Sequence, residues 1–485
     1  MDKQLFSYRR AAGVLICAAA LSLSSCSDKE KTSPTAKEVA IEKLEEQGVA
    51  LTPASMCEAI RVGNQEQVRL LIEAGVDVNK ADEYGYPPLS QAAEKGHSEC
   101  VKLLLAAPGI DVNKADEYGF TPLSGAAEKG HSECVKLLLA APGIDVNKAN
   151  DYGWTPLSVA ARYGRSEYVK LLLAAPGIDV NKANKYGWTP LSVAARYGHS
   201  ECVKLLLAAP GIDVNIADMY GHTPLSGAAN NGHSECVKLL LAARGIDVNK
   251  YDRLGDTPLS GAAENGHSEC VKLLLAAPGI DVNKVDNDGA TPLSGAANNG
   301  LSECVKLLLA ARGIDVNKYD RLGDTPLSVA AYNGHSECVK LLLAAPGIDV
   351  NKAEKEGCTP LHWAARYGHS ECVKLLLAAP GIDVHKANNN GETPLYWAAF
   401  NGLSECVKLL LAVPGIDVNK ANNNGYTPLY WAAENGHSEC VKLLLAAPGI
   451  DVNKADKGGC TPLYRAANNG RSECVKLLEA AGAKK

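Results

Sequence analysis

Residues 111–144 read DVNKADEYGFTPLSGAAEKGHSECVKLLLAAPGI, and this stretch of 34 residues recurs along almost the whole chain. Its Thr-Pro-Leu core falls at Thr121, Thr155, Thr189, Thr223, Thr257, Thr291, Thr325, Thr359, Thr393, Thr427 and Thr461, after a Pro-Pro-Leu variant that begins at Pro87. A constant period over a dozen units predicts a stacked array in which each unit buries its apolar face only against its neighbours. Such an array builds one long surface and no closed pocket.

Local chemistry predicts the unit. Thr121 is a good N-cap, and Pro122 suits the first helical position, whose N–H has no partner in any case. A short helix through Leu123, Ala126 and Ala127 ends at Gly130, where the chain turns left-handed. Ser132 is the expected N-cap of a second helix, with Glu133 favourably placed in its first turn. Cys134, Val135, Leu138 and Leu139 form the packing stripe of that helix. Pro142-Gly143 stops it, Asp145-Val146-Asn147 leads out extended, and Asn150–Gly153 turns. The fold class is an all-α repeat solenoid of helix-turn-helix units with β-hairpin-like loops.

These residues resemble the ankyrin repeat, whose pattern is T-P-L-H-x-A followed by a two-helix body. The matching text is Thr-Pro-Leu-Ser-x-Ala-Ala, Gly-His-x-Glu, Val-Lys-Leu-Leu-Leu and Asp-Val-Asn, over about residues 54–485. With a degenerate first repeat at 54–86, the resemblance implies about thirteen units. The chain departs from the pattern in three ways. The motif histidine occurs only at His362, with Ser or Tyr elsewhere. Pro-Gly before the Asp lengthens the unit from 33 to 34 residues. Gly125, Gly227, Gly261 and Gly295 lie inside first helices, each costing roughly 0.5–1 kcal/mol relative to Ala. The middle of the array is therefore expected to open more easily than its flanks.

Four segments follow: 1–25, 26–36, 37–86 (a capping half-repeat and the degenerate repeat) and 87–485 (twelve repeats). Lys3, Arg9 and Arg10 precede an apolar run from Ala11 to Leu23, too short to span a membrane as an ordinary helix of roughly 20 residues. Leu23-Ser24-Ser25-Cys26 resembles the lipobox of bacterial lipoproteins, which implies cleavage and lipid attachment at Cys26. A plain signal peptide or an uncut anchor remains the alternative. Residues 26–36 read as a polar tether. The implied location is a bacterial cell envelope, on the periplasmic side, with Ser27 favouring the outer membrane.

Composition narrows the function. A net charge of −6 with no basic run argues against nucleic acid. No G-x-S-x-G, P-loop, H-E-x-x-H or paired C-x-x-C occurs, so neither enzyme chemistry, a cofactor nor a small-molecule substrate is expected. Eleven cysteines share one repeat position, from Cys100 and Cys134 to Cys474. Stacked helices lie about 8–10 Å apart, too far for a disulfide, so the row is expected as reduced, buried apolar groups. Cys358 and Cys460 are expected as exposed thiols at loop tips. One His and one Cys per unit cannot assemble a four-ligand metal site. His131 and its equivalents are expected to satisfy helix ends.

Function is expected where units differ. The tip residue before Thr-Pro-Leu is Tyr86, Phe120, Trp154 and Trp188 in the front units, then His222, Asp256, Ala290 and Asp324. The residue before Ala-Ala becomes Trp363, Trp397 and Trp431 at the back, joined by Tyr396 and Tyr430. In ankyrin proteins these positions line the concave binding face, and aromatic anchors dominate protein interfaces. The resemblance thus implies a scaffold that binds a protein or peptide through two aromatic patches, with packing as the competing role. A released host-directed effector and a passive spacer are the other readings.

Overall fold

The structure is a computed structural model, and it describes residues 33–484. The expected signal peptide, Cys26 and most of the expected tether lie outside the described residues. Among the described residues there are 27 helices, no strand, and no helix long and apolar enough to cross a membrane.

A lone helix, Ala36–Glu46, opens the array, capped by Thr35 through its side chain and by Glu38 in return. The degenerate repeat supplies Pro53–Arg61 and Gln65–Glu73. From Pro88 onward every repeat contributes a first helix that begins at the motif proline and a second that begins at the motif serine. In the unit quoted above these are Pro122–Lys129 and Ser132–Leu139.

Thr121 caps the first helix as expected, accepting the Ser124 N–H at 3.2 Å. Elsewhere the cap is reciprocal: Ser158 N–H donates to Thr155 Oγ1 at 3.2 Å, and Thr155 N–H donates to Ser158 Oγ at 2.8 Å. Gly130 closes that helix at φ 93°, a conformation that β-carbon-bearing residues seldom adopt. Ser132 is not the N-cap of the second helix but its first residue; the cap is His131, which makes no side-chain capping bond. The ring instead donates from Nε2 to the carbonyl of Glu94, 2.9 Å away in the preceding repeat. The histidine thus satisfies a helix end, though the neighbour's.

The core is one continuous ribbon. Leu123, Ala126, Ala127, Cys134, Val135 and Leu138 and their equivalents are buried throughout. Neighbouring first helices approach one another more closely than neighbouring second helices, because the small, buried Ala-Ala pair of each first helix lies in the seam. The row of first helices is therefore the inner, shorter side of the curve.

Two ladders join the repeats. Asn113 Nδ2 donates to the Gly143 carbonyl at 2.7 Å and its Oδ1 accepts the Asp145 N–H at 2.8 Å, a pair of bonds repeated from Asn79 to Asn351. At His385 the pattern stops, because no amide stands there, and it resumes at Asn419. The tips form no strands but, from Tyr118 to Lys457, are strung by one backbone bond between successive tips, as from Asn287 N–H to the Leu254 carbonyl at 2.8 Å. That contact requires glycine: a β-carbon at Gly255, where φ is +90°, would lie 2.6 Å from Asn287 N.

Candidate interaction face

First helices and tips form the inner face, and the side chains that vary among repeats stand there in three zones. In the front zone, Trp154 and Trp188 meet edge to face at 6.0 Å between ring centroids. With Phe120, Val159 and Val193 they make an apolar cluster separate from the main core. Arg162 lies 5.1 Å over Trp154, and Arg196 lies 5.4 Å over Trp188. The Trp188 indole donates to Asp218 at 2.9 Å. Tyr163 and Tyr197 beside them are exposed.

The back zone is a continuous aromatic run. Tyr332 and Trp363 meet at 5.4 Å, Phe400 and Trp431 at 4.8 Å, and Tyr426 and Tyr430 at 4.8 Å. Arg366 lies between two indoles, 4.0 Å from the Trp397 ring and 5.5 Å from Trp363. The indole N–H groups of Trp363, Trp397 and Trp431 are all buried with no hydrogen-bond partner among the described residues.

The structure divides the nine aromatic residues expected to contact a partner. Tyr86, Phe120, Trp188, Trp363, Trp397 and Trp431 are partly exposed. Trp154, Tyr396 and Tyr430 are 7%, 4% and 1% exposed, so burial removes them from the contact surface. The two tyrosines take the motif-histidine position and reach forward. Tyr430 O–H donates to Asp456 at 3.0 Å, and Tyr396 Oη accepts from Asn422 Nδ2 at 3.3 Å. His362 does the same through Nε2, which donates to the Glu392 carbonyl at 3.0 Å. Burial holds this ring neutral and pushes its pKa down to about 4. Serine in the earlier repeats closes its own helix cap but, from Ser124 to Ser328, makes no such forward link.

The central zone is acidic. His222 stands between Asp218, 3.3 Å from Nδ1, and Asp252, 3.2 Å from Nε2. One repeat on, Asp256, Glu264 and Asp286 converge, with a carboxylate oxygen of each within 4.8 Å of the others. Burial, then the charge of Asp256, pushes Glu264 up to about 7, and burial with Asp320 pushes Asp324 up to about 6. In the sequence, Asp256 and Asp324 stand out only as tip residues that follow the front aromatic units. Glu264 and Asp286 sit at different repeat positions, and only stacking brings them together.

The cysteine row is buried from Cys100 to Cys474, and desolvation pushes most of its thiols up to about 11. The expectation of an exposed Cys358 is wrong. It is 2% exposed, covered by the next tip, where Asn388 Nδ2 donates to its sulfur at 3.5 Å. Cys460, near the end of the array, is only partly covered.

Compared with known families, the chain matches the model described as Ankyrin repeats (3 copies) in overlapping windows from 55–150 to 414–485 that together run without a gap. No curated protein matches it.

Proposed function

The chain belongs to the ankyrin repeat family, and from that premise we propose that it is a membrane-tethered scaffold that holds a protein or peptide on its inner face. Ankyrin repeats suggest protein–protein interaction, and no catalytic family is indicated. The observation that carries the reading is the inner face itself. Trp188, Trp363, Trp397 and Trp431 are partly exposed on a surface whose outer counterpart is a monotonous Glu–Lys pattern such as Glu269–Lys272. Binding energy concentrates on such half-buried aromatic and arginine anchors.

The tether rests on the sequence alone: Leu23-Ser24-Ser25-Cys26 after an apolar run. Several acyl chains on Cys26 would anchor the protein firmly, since each buried methylene contributes about 0.8 kcal/mol. Outer-membrane retention facing the periplasm follows from Ser27 by the same resemblance.

Two measurements test this. Metabolic labelling with an alkyne fatty acid should mark the wild type and leave Cys26→Ala unlabelled; a lipid-free form collecting in the medium would favour a released effector. A photocrosslinker at position 197 or 367 should capture a discrete partner from envelope-bound protein. Capture at neither position would leave only the passive spacer.

A further inference from the structure

We infer that the inner face between residues 320 and 363 binds an arginine-bearing, otherwise apolar peptide segment, the guanidinium entering a hollow walled by aromatic rings and carboxylates. This rests on the scaffold reading and names the chemistry of the occupant.

The hollow has a volume of about 560 Å³. Asp320, Asp324, Glu354 and Glu356 give it four carboxylates against the single cation of Lys355, and none of the four makes an ion pair among the described residues. Asp320 and Glu354 are partly occupied by backbone N–H groups of their own tips. Asp324 and Glu356 accept no backbone N–H in this way; Asp324 is partly buried, meets only the Ser328 hydroxyl, and faces the like charges of Asp320 and Glu354. Apolar lining comes from Tyr332 and Trp363, set edge to face, from Val329, and from Leu322, which is 65% exposed.

Comparison among repeats identifies what is missing. The residue following Ala-Ala is Arg162, Arg196 and Arg366 in three repeats, and each lays its guanidinium over a tryptophan. At the same position the repeats between them carry Asn230, Glu264, Asn298 and Tyr332. The stretch richest in carboxylates therefore has no arginine at this position, and beside Tyr332 no guanidinium of the preceding first helix covers the rings. A planar guanidinium satisfies both walls at once, stacking on a ring while donating to carboxylates. A carboxylate-bearing segment would meet like charge.

The test uses the full chain with three fluorescent hexapeptides, alternating Arg-Leu, Lys-Leu and Glu-Leu, read by anisotropy. Arg-Leu should bind more tightly than Lys-Leu, and Glu-Leu should not bind. Asp324→Asn with Glu356→Gln should weaken Arg-Leu about tenfold, the loss of one charge-assisted contact pair; removing like charges leaves the fold intact, which thermal unfolding checks. Glu235→Gln with Glu269→Gln on the outer face removes the same net charge and should leave binding unchanged. Equal weakening by both pairs, equal binding of Glu-Leu, or no effect of the inner pair would each overturn the inference. If Arg-Leu fails while a crosslinker at position 367 still captures a partner, the occupant's chemistry is wrong and the scaffold stands. If both fail, the scaffold reading falls as well.

Discussion

The repeats around Gly227, Gly261 and Gly295 and those around Trp363, Trp397 and Trp431 have the same backbone and hold their neighbours differently. In the central repeats the first helix carries glycine. At two of the three positions that glycine makes room for the preceding repeat, because a β-carbon at Gly261 would lie 1.8 Å from Asn230 Oδ1 and one at Gly295 would lie 2.4 Å from Glu264 Cγ. Serine there caps its own helix and stops. In the back repeats tryptophan fills the same seam, and His362, Tyr396 and Tyr430 reach across to the next tip. Stability in such an array is the sum of units and of interfaces between them. The two regions therefore share their units and differ in their interfaces.

The largest expected effect breaks the back region. Trp363, Trp397 and Trp431 changed together to Ala should cost more than about 5 kcal/mol, since each half-buried indole contributes a few kcal/mol of packing. Urea denaturation followed by segment-resolved hydrogen exchange should then show the back opening before the centre, reversing the wild-type order. In the wild type the centre is expected to open first, and uniform protection along the chain would contradict the contrast.

Acid should move the two regions in opposite directions. His362 has a folded pKa near 4 against an ordinary 6.5, so below the latter the unfolded chain takes up a proton that the folded chain refuses. The back should lose up to about 3 kcal/mol as pH falls through that window. Glu264, raised from 4.5 to about 7, keeps in the folded state a proton that the unfolded chain gives up, so the centre loses stability as pH rises through that window and regains it on acidification. Pulse proteolysis at pH 5 and pH 7.5 reads both, and parallel responses would refute the assignment.

A smaller change sharpens the contrast from the other side. His385→Asn should restore two bonds between repeats and stabilise the back by about 1–2 kcal/mol, read as a raised denaturation midpoint. Smallest of all, Lys272→Ala removes an exposed pair with Glu269 at 3.5 Å and should change stability by less than about 0.5 kcal/mol.

Much of this was legible in the residues. Period, the Thr-Pro caps and the helix-ending glycines are local, and local chemistry decides them. The misreadings all involve the neighbouring repeat. Ser132 looked like a cap because nothing within its own unit shows that the His131 ring turns toward Glu94. Cys358 and Tyr430 look exposed in a single unit and are covered by the next one. Asp-Val-Asn looked like an extended lead-out, whereas its asparagine is the inter-repeat clamp. The acidic meeting of Asp256, Glu264 and Asp286 has no sequence signature, because it needs two repeats stacked in register.

If the protein is exported as proposed, the buried cysteine row has a consequence in oxidising surroundings. While the stack is closed, each sulfur is shielded and its thiolate scarce, so oxidants find little to attack. When a segment springs apart, several adjacent thiols emerge together on a slackened chain, and a crosslink between them would prevent reclosure. In such a compartment each passing fluctuation would risk becoming a permanent lesion, and the working lifetime would be set by how often the weakest repeats part.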